Sequence, residues 1–115
     1  IKKGVPVGFG MGSSAASAAA AALACNKLFN LKLDNKTLVK CAGIGEKASA
    51  GTIHYDNVAA SLLGGFVVVK TKPFEVIRLE PPKDLVLCVA IPKLKVPKKK
   101  TKVSGSVIPK TVKLS

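Results

Sequence analysis

The stretch PVGFGMGSSAASAAAAALACNKLF, residues 6–29, places a glycine-rich loop directly before an alanine-rich segment. Glycine recurs at every second position from Gly8 to Gly12, where the missing Cβ lets backbone amides face a ligand without obstruction. Alanine has the highest helix propensity, so the sequence predicts a helix from Ser13 to about Phe29, with serine oxygens capping its first free N–H groups. We therefore predict a loop that leads straight into the amino terminus of a helix.

A loop of this kind can hold a phosphate group. The dipole and free N–H groups of a helix amino terminus favour anions, and the hydroxyls of Ser13 and Ser14 can bond phosphate oxygens or ligate Mg²⁺. No lysine follows Gly12, so the loop is not a Walker A loop, and its glycine spacing does not fit the dinucleotide fingerprint. Phosphate binding and a plain glycine turn before a serine-capped helix both stay open at this point.

Composition and charge exclude several classes of protein. The chain has 115 residues, a net charge of +13 and 48% hydrophobic residues, an ordinary globular share. Its longest nearly apolar run, Ala15 to Cys25, is too short for a membrane span of about 20 residues, so no membrane partner is predicted. Three widely spaced cysteines argue against a disulfide scaffold or zinc module and favour the cytoplasm. Because the single methionine is Met11, we expect a segment of a longer protein.

A basic run extends from Lys93 to Lys102. Such a run can track a phosphate backbone, but it is also typical of a solvated loop on a lysine-rich protein. Aromatic residues make up 4% of the chain and tryptophan is absent, so the stacking platforms of single-strand binders are missing. Nucleic acid is therefore not the predicted partner, and RNA binding is kept as an alternative.

Turn signals and hydrophobic periodicity predict the remaining elements. A second helix begins at Asp34 or Asn35 and ends near Lys47, although two internal glycines weaken it by about 1 kcal/mol each relative to alanine. Pro81-Pro82 mark a break between two domains. A short helix is predicted at Val58–Leu63 after an Asp56-Asn57 cap, and a hairpin is predicted from Phe66–Thr71 and Phe74–Leu79. A fully buried strand is predicted at Leu85–Ile91.

Two groups outside the loop could carry chemistry. Glu46, taken by itself, is interpreted as a solvated surface residue, with metal ligation opposite the serines as the alternative. His54 to Asn57 (HYDN) combine four hydrogen-bonding side chains, which either cap the third helix or contact a substrate. Acyl transfer through Ser13 or Ser14 is not predicted, because G-x-S-x-G is absent and His54 is the single histidine.

Three motifs together resemble those of the GHMP kinases, and within them the homoserine kinases. The loop matches the pattern P-x-G-x-G-L-G-S-S-A-A-S, with Met11 in place of leucine. The helix-ending G-E pair of the family appears as Gly45-Glu46. Residues 54–66 (HYDNVAASLLGGF) follow the pattern H-A-D-N-V-A-P-x-x-x-G-G-F, with Tyr55 in place of alanine and Ala60 in place of proline. The motifs occur in the same order and spacing over residues 4–66, which makes the resemblance specific.

The resemblance implies an α+β fold. Residues 1–80 would form the later part of an amino-terminal domain like domain 2 of ribosomal protein S5, which has a left-handed βαβ crossover. Residues 81–115 would begin a ferredoxin-like carboxy-terminal domain. The earlier strands and the last glycine-rich motif of the family are absent from this chain, so we expect the segment alone to be inactive.

The resemblance also implies the site residues. The nucleotide would be held by residues of the loop: Pro6, Gly8, Gly10, Gly12, Ser13 and Ser14. Mg²⁺ would be held by Ser14 and Glu46. The substrate side would include His54, Asn57 and Thr101. The family uses no dedicated catalytic residue, since positioning and charge neutralisation drive phosphoryl transfer.

The implied activity is a kinase with an alcohol group as acceptor. ATP and Mg²⁺ would be used to convert L-homoserine to O-phospho-L-homoserine on the route to threonine, in the cytoplasm, with the complete protein a homodimer. Gly105 stands where the family has an arginine for the substrate carboxylate, so a kinase for another small alcohol such as mevalonate is an alternative. The other alternative is a non-catalytic, S5-like module that binds RNA through the run from Lys93 to Lys102.

Overall fold

The computed structural model describes residues 1–91 and Thr111, so predictions on the other residues, the Lys93–Lys102 run among them, lie outside the described part. Three helices and a two-stranded antiparallel sheet follow one another: α1 Ser13–Leu28, α2 Asn35–Ala50, α3 Tyr55–Leu63, β1 Phe66–Thr71 and β2 Phe74–Leu79. This arrangement is the predicted α+β class. No helix of the described part is long and apolar enough to cross a membrane.

Helix α1 confirms the prediction from the alanine-rich segment, but its start differs in detail. Gly12, with φ of 69°, occupies the N-cap position, and neither serine makes a side-chain capping bond within the described residues. The predicted serine cap is therefore wrong. Ser13 and Ser14 are the first helical residues, and their hydroxyls point to other parts of the chain. At the other end Phe29 is the C-cap, and Asn30 follows it in the left-handed conformation, with φ of 50°.

Helix α2 begins as predicted and ends later. The Asp34 side chain accepts a 2.7 Å hydrogen bond from the Thr37 amide. Hydrogen bonding with the Thr37 side chain, and in second place this amide bond, lowers the pKa of the Asp34 carboxyl. The helix continues past Lys47 because alanine and serine follow, and it ends at Gly51 in the left-handed conformation, with φ of 79°. Glycine adopts that conformation without a Cβ clash, which is why the helix ends there.

Helix α3 begins earlier than the sequence predicts. Its N-cap is His54, which makes no side-chain capping bond in the described part, and Tyr55 is the first helical residue. Asp56 and Asn57 therefore lie inside the first turn, so the prediction that they cap the helix is wrong. The helix ends at Gly64, as predicted.

The hairpin confirms the two predicted strands. Phe66 pairs with Leu79 at its open end and Thr71 with Phe74 at the turn. Alternation along the strands turns one face toward the helices, and that face carries Val67, Val69, Phe74 and Val76, which pack against the core. The opposite face carries exposed apolar residues, namely Phe66, Val68, Ile77 and Leu79.

The core lies where the three helices meet and consists mostly of small side chains: Ala15, Val39, Ala42, Val58 and Ala59. Short side chains let helix backbones approach closely, and the alanines of α1 provide this along its buried side. Close approach of α1, α2 and α3 then brings short polar side chains on different helices within hydrogen-bonding reach.

The predicted strand Leu85–Ile91 is not formed. The structure has neither helix nor strand over these residues, and their side chains are exposed. A fully apolar strand needs neighbouring strands and cover on both faces, and the described residues provide neither to this segment. The ferredoxin-like domain that would contain it, over residues 81–115, stays a prediction.

The two glycines inside α2 lead to opposite expectations for alanine substitution. A Cβ at Gly43 would lie 2.5 Å from Tyr55 Cε1 and 3.0 Å from Ile53 Cγ2, whereas a Cβ at Gly45 would make an ordinary 3.5 Å contact with Ala18. We expect Gly43→Ala to destabilise the complete protein by about 1–3 kcal/mol through overpacking. Gly45→Ala should be neutral or stabilising by up to about 1 kcal/mol through helix propensity.

Urea denaturation of the two variants and the parent protein measures the difference. If Gly43→Ala is as stable as the parent protein, that result would contradict the tight packing of Tyr55 on α2. Gly45→Ala is the matched control, because it is the same substitution two residues along the same helix.

Candidate functional site

The glycine loop adopts a backbone conformation that side chains disfavour. Gly8, Gly10 and Gly12 have φ of 87°, 74° and 69°, all in the left-handed region. A Cβ at Gly8 or Gly10 would meet nothing within 4 Å, so space does not require glycine there. The backbone conformation requires it, and the space beside the loop is left open for a ligand.

The base of the loop is closed by Ser13. Its hydroxyl donates a 3.3 Å hydrogen bond to the Val5 carbonyl, on the other side of the loop from the helix. Lys3 Nζ donates to the same hydroxyl at 3.3 Å and lies 3.5 Å from the Ser13 carbonyl. Sequence reasoning did not identify Lys3. Its ammonium group adds a positive charge beside the amino terminus of α1, where an anionic ligand would be favoured further.

A cavity of about 210 Å³ lies beside the loop base. It is bounded by the first residues of the chain and one side of α1: Ile1, Lys2, Lys3, Gly4, Val5, Ser13, Ala16, Ser17 and Ala20. Two lysines and two serines stand among aliphatic side chains in this lining.

Glu46 is the central side chain of the site. It lies on α2 and is only 2% exposed, so its interpretation as a solvated surface residue is wrong. The Ser14 hydroxyl, in the first turn of α1, donates a 2.9 Å hydrogen bond to Glu46 Oε1. The other carboxylate oxygen, Oε2, is buried and has no hydrogen-bond partner among the described residues. A buried carboxylate oxygen is costly without a partner, so this atom indicates a ligand that is positively charged or donates a hydrogen bond.

His54 approaches the same carboxylate from α3. Its Nδ1 lies 3.5 Å from Glu46 Oε1, and its side chain is 39% exposed. The other ring nitrogen, Nε2, lies 3.3 Å from the Thr52 hydroxyl, a residue that the sequence reasoning missed. The signal available in the sequence was its position: Thr52 directly follows Gly51, which ends α2, and stands two residues before His54. Helices α1 and α2 and the N-cap of α3 thus each contribute one polar side chain to a single cluster.

Asn57 lies on the loop side of this cluster. A Cβ added to Gly12 would sit 3.7 Å from the Asn57 Cβ and Cγ atoms, so the first turn of α3 contacts the end of the glycine loop. The structure therefore brings together predicted residues from the loop end, α2 and the start of α3, namely Gly12, Ser14, Glu46, His54 and Asn57. Thr101, the remaining predicted substrate residue, lies outside the described part of the chain.

The arrangement suits a phosphate ester that is bound together with a divalent cation. Within residues 1–91 and Thr111, no three His, Cys, Asp or Glu side chains come close enough to cage a metal by themselves. Mg²⁺ does not need such a cage, because it is usually held by one or two carboxylates together with phosphate oxygens and waters. The unpartnered Glu46 Oε2 and the Ser14 hydroxyl fit this requirement.

Comparison with known proteins gives consistent results. The family profile described as GHMP kinases N terminal domain matches residues 1–65. The homoserine kinase of Thermoplasma volcanium is 46% identical over 114 residues, which are 99% of this chain and 37% of that protein. The homoserine kinase of Methanococcus maripaludis is 42% identical over 113 residues, covering 97% of this chain and 36% of that one.

The fold comparison agrees with the sequence comparison. A crystal structure of homoserine kinase from Cytophaga hutchinsonii superposes with a TM-score of 0.77 at 35% identity, covering 97% of this chain and 35% of that one. The chain thus spans just over a third of the length of these relatives. Because the family profile matches more than half of the residues, and the relatives match nearly all of them, the chain belongs to the GHMP kinases.

Proposed function

We propose that the complete protein transfers the γ-phosphoryl group of ATP to the hydroxyl of L-homoserine, giving O-phospho-L-homoserine for threonine synthesis in the cytoplasm. The observation that carries the proposal is the buried Glu46 carboxylate, with its unpartnered Oε2, beside Ser14 at the end of the glycine loop. The substrate is proposed because relatives at 46% and 42% identity are named homoserine kinases.

The nucleotide side of the site would be the glycine loop, from Pro6 to Ser14. Its left-handed glycines leave backbone amides free of Cβ cover, and the amino terminus of α1 adds the partial positive charge of the helix dipole. Lys3 strengthens this field through its contact with Ser13. These groups would bind the phosphates and hold the γ-phosphorus in place for in-line attack.

The residues present fit Mg²⁺, which would be held by the Ser14 hydroxyl and the Glu46 carboxylate. When bound, Mg²⁺ neutralises charge on the phosphate oxygens and on the departing ADP. Burial of Glu46 keeps its charge poorly screened by water, so its attraction for a cation is stronger than that of a surface carboxylate. The hydrogen bond from Ser14 holds the carboxylate in one orientation before any cation arrives.

The substrate side would include His54 and Asn57, which lie beside Glu46 and the loop end respectively. Their role would be to hold the amino-acid part of L-homoserine so that its hydroxyl faces the γ-phosphorus. In the transfer the hydroxyl oxygen forms a bond to phosphorus while the bond to the β,γ-bridging oxygen breaks. ADP leaves with that electron pair, and the hydroxyl proton passes to water or phosphate without a dedicated base.

The wider organisation of the protein is part of this proposal. Residues 1–80 would belong to the amino-terminal domain and residues 81–115 would begin the second one. The complete protein would act as a homodimer. The chain alone spans just over a third of its relatives, so activity is expected of the complete protein and not of this segment.

The substrate assignment is tested by ADP release from the complete protein with L-homoserine and mevalonate offered separately. We expect ADP release with L-homoserine and none with mevalonate. That result would show that Gly105 is tolerated in place of arginine. Release with mevalonate alone would contradict the substrate and leave the kinase fold in place. Mg²⁺-independent binding of a polynucleotide that weakens steeply with salt, without ADP release, would favour the RNA-binding alternative.

Replacing Glu46 tests the proposed metal ligand. Glu46→Gln keeps the size of the side chain and can still accept the hydrogen bond from Ser14, but it removes the buried negative charge. We expect kcat to fall about 100-fold or more, since charge neutralisation in such sites contributes several kcal/mol, while the circular dichroism spectrum is unchanged.

Glu75→Gln is the matched control, because the same chemical change is made at an exposed residue whose ion pair with Lys70 spans 3.8 Å. Exposed pairs contribute little, so this variant should keep normal turnover. If Glu46→Gln also keeps near-normal turnover, Glu46 is not part of the metal site.

Gly10→Ala tests the role of the loop in nucleotide binding. A methyl group at a left-handed residue costs about 1–2 kcal/mol of local strain and would cover an amide facing the phosphates. We expect the Kd for ATP with Mg²⁺ to rise at least tenfold by isothermal titration calorimetry. Gly51→Ala is the control, since its φ of 79° and open surroundings match those of Gly10, with φ of 74°. Equal ATP affinity of the two variants would argue against the phosphate loop.

A further inference from the structure

The ring of Tyr55 packs directly on the backbone of α2. A Cβ at Gly43 would lie 2.5 Å from Tyr55 Cε1 and 3.0 Å from Cδ1, so only glycine leaves room for the ring at its present position. Gly43 precedes Glu46 by three residues, and residues three apart lie on the same face of a helix. Tyr55 and its neighbour His54 thus contact α2 at adjacent positions one turn apart.

The Tyr55 ring also contacts the hairpin. Its centroid lies 4.9 Å from that of Phe74 in an edge-to-face arrangement with an interplanar angle of 67°. Lys40 Nζ, from α2, lies 5.0 Å from the Phe74 ring centroid and covers that ring in turn. The Tyr55 ring is therefore fixed between a helix and the hairpin, and edge-to-face pairs of this kind contribute beyond their buried area.

The start of α3 depends on this packing more than most helix starts do. His54, at the N-cap, makes no side-chain capping bond in the described part, so packing substitutes for the usual cap. Tyr55 is the first helical residue, with His54 directly before it and Asn57 two residues after it. A shift of Tyr55 would therefore carry both of these side chains with it.

We infer that Tyr55 is a positioning residue, which sets the distance of His54 and Asn57 from Glu46 and the glycine loop by packing against Gly43 and Phe74. The inference rests on the proposed function where it concerns the substrate. Tyr55 acts through its neighbours and does not itself touch a reacting atom. The ring, not the hydroxyl, carries this role, since the contacts with Gly43 and Phe74 are made by ring atoms.

Steady-state kinetics of the complete protein test the inference. We expect Tyr55→Ala to raise the KM for L-homoserine about tenfold, because small displacements of positioning groups have large effects, and to change the KM for ATP less than twofold. Tyr55→Phe keeps the ring, so its KM for L-homoserine should equal that of the parent protein. Gly43→Ala places a methyl group against the ring from α2 and should also raise the KM for L-homoserine. This variant tests the inference if Tyr55→Ala does not fold.

Leu62→Ala is the control for loss of stability alone. Leu62 lies near the end of the same helix and packs partly buried against the same core. It should lower the unfolding midpoint and leave both KM values unchanged. Equal effects of Tyr55→Ala and Leu62→Ala on the KM for L-homoserine would reduce Tyr55 to a structural residue and overturn the inference.

A second readout separates this inference from the proposed function. The imidazole proton signals of His54, assigned by difference from His54→Gln, report the position of the ring by NMR without any substrate. We expect these signals to shift in Gly43→Ala, which keeps both aromatic rings, and to stay in place in Tyr55→Phe and Leu62→Ala. Unshifted signals in Gly43→Ala would overturn the inference, whereas absence of ADP release from the parent protein with L-homoserine would overturn the proposed function instead.

Discussion

The hydrogen bond between the Ser14 hydroxyl and Glu46 Oε1 links the glycine loop to the rest of the fold. Serine has a short side chain, so a 2.9 Å bond from it to a neighbouring helix requires the two helices to approach closely. The alanines of α1 permit that approach, and even a Cβ at Gly45 of α2 would make only an ordinary 3.5 Å contact with Ala18. The alanine-rich composition of α1 therefore serves two purposes. It favours the helix, and it brings a loop-end hydroxyl and a carboxylate into contact.

The same close packing makes the site costly for the fold. The core consists largely of alanine and valine, which bury little apolar area for each residue. At its edge the protein places a nearly fully buried carboxylate with one oxygen unpartnered in the described part. An uncompensated polar atom of this kind opposes folding. A cation would compensate it on binding, so ligand binding and local stability are coupled at Glu46.

How much of the fold and of the candidate site could be predicted from the sequence depends on whether the interactions that form each part are local or long-range. Helix α1 and the hairpin rest on local signals, alanine propensity and β-branched runs, and the structure confirms both. The burial of Glu46 could not be derived from its neighbours along the chain, because burial of a charge depends on which helix covers it. The strand expected at residues 85–91 is absent because strands form only with partners. The family motifs imply a metal-binding role for Glu46 that local reasoning kept only as an alternative, since family motifs carry information about the whole fold.

The glycines inside α2 show how a weak local signal becomes an informative tertiary one. Gly43 and Gly45 each weaken a helix by about 1 kcal/mol relative to alanine, and the sequence alone treats them as defects. In the structure they lie on either side of Ile44, just before Glu46. Gly43 marks a close approach by Tyr55 of α3, whereas a Cβ at Gly45 would make only an ordinary 3.5 Å contact with Ala18 of α1. Helices α1 and α3 carry Ser14 and His54, the two side chains that contact the Glu46 carboxylate. Gly43, which weakens α2 as an isolated helix, is therefore the residue that leaves room for Tyr55 and so for His54 beside the glutamate, whereas the contact with α1 does not require a glycine at position 45.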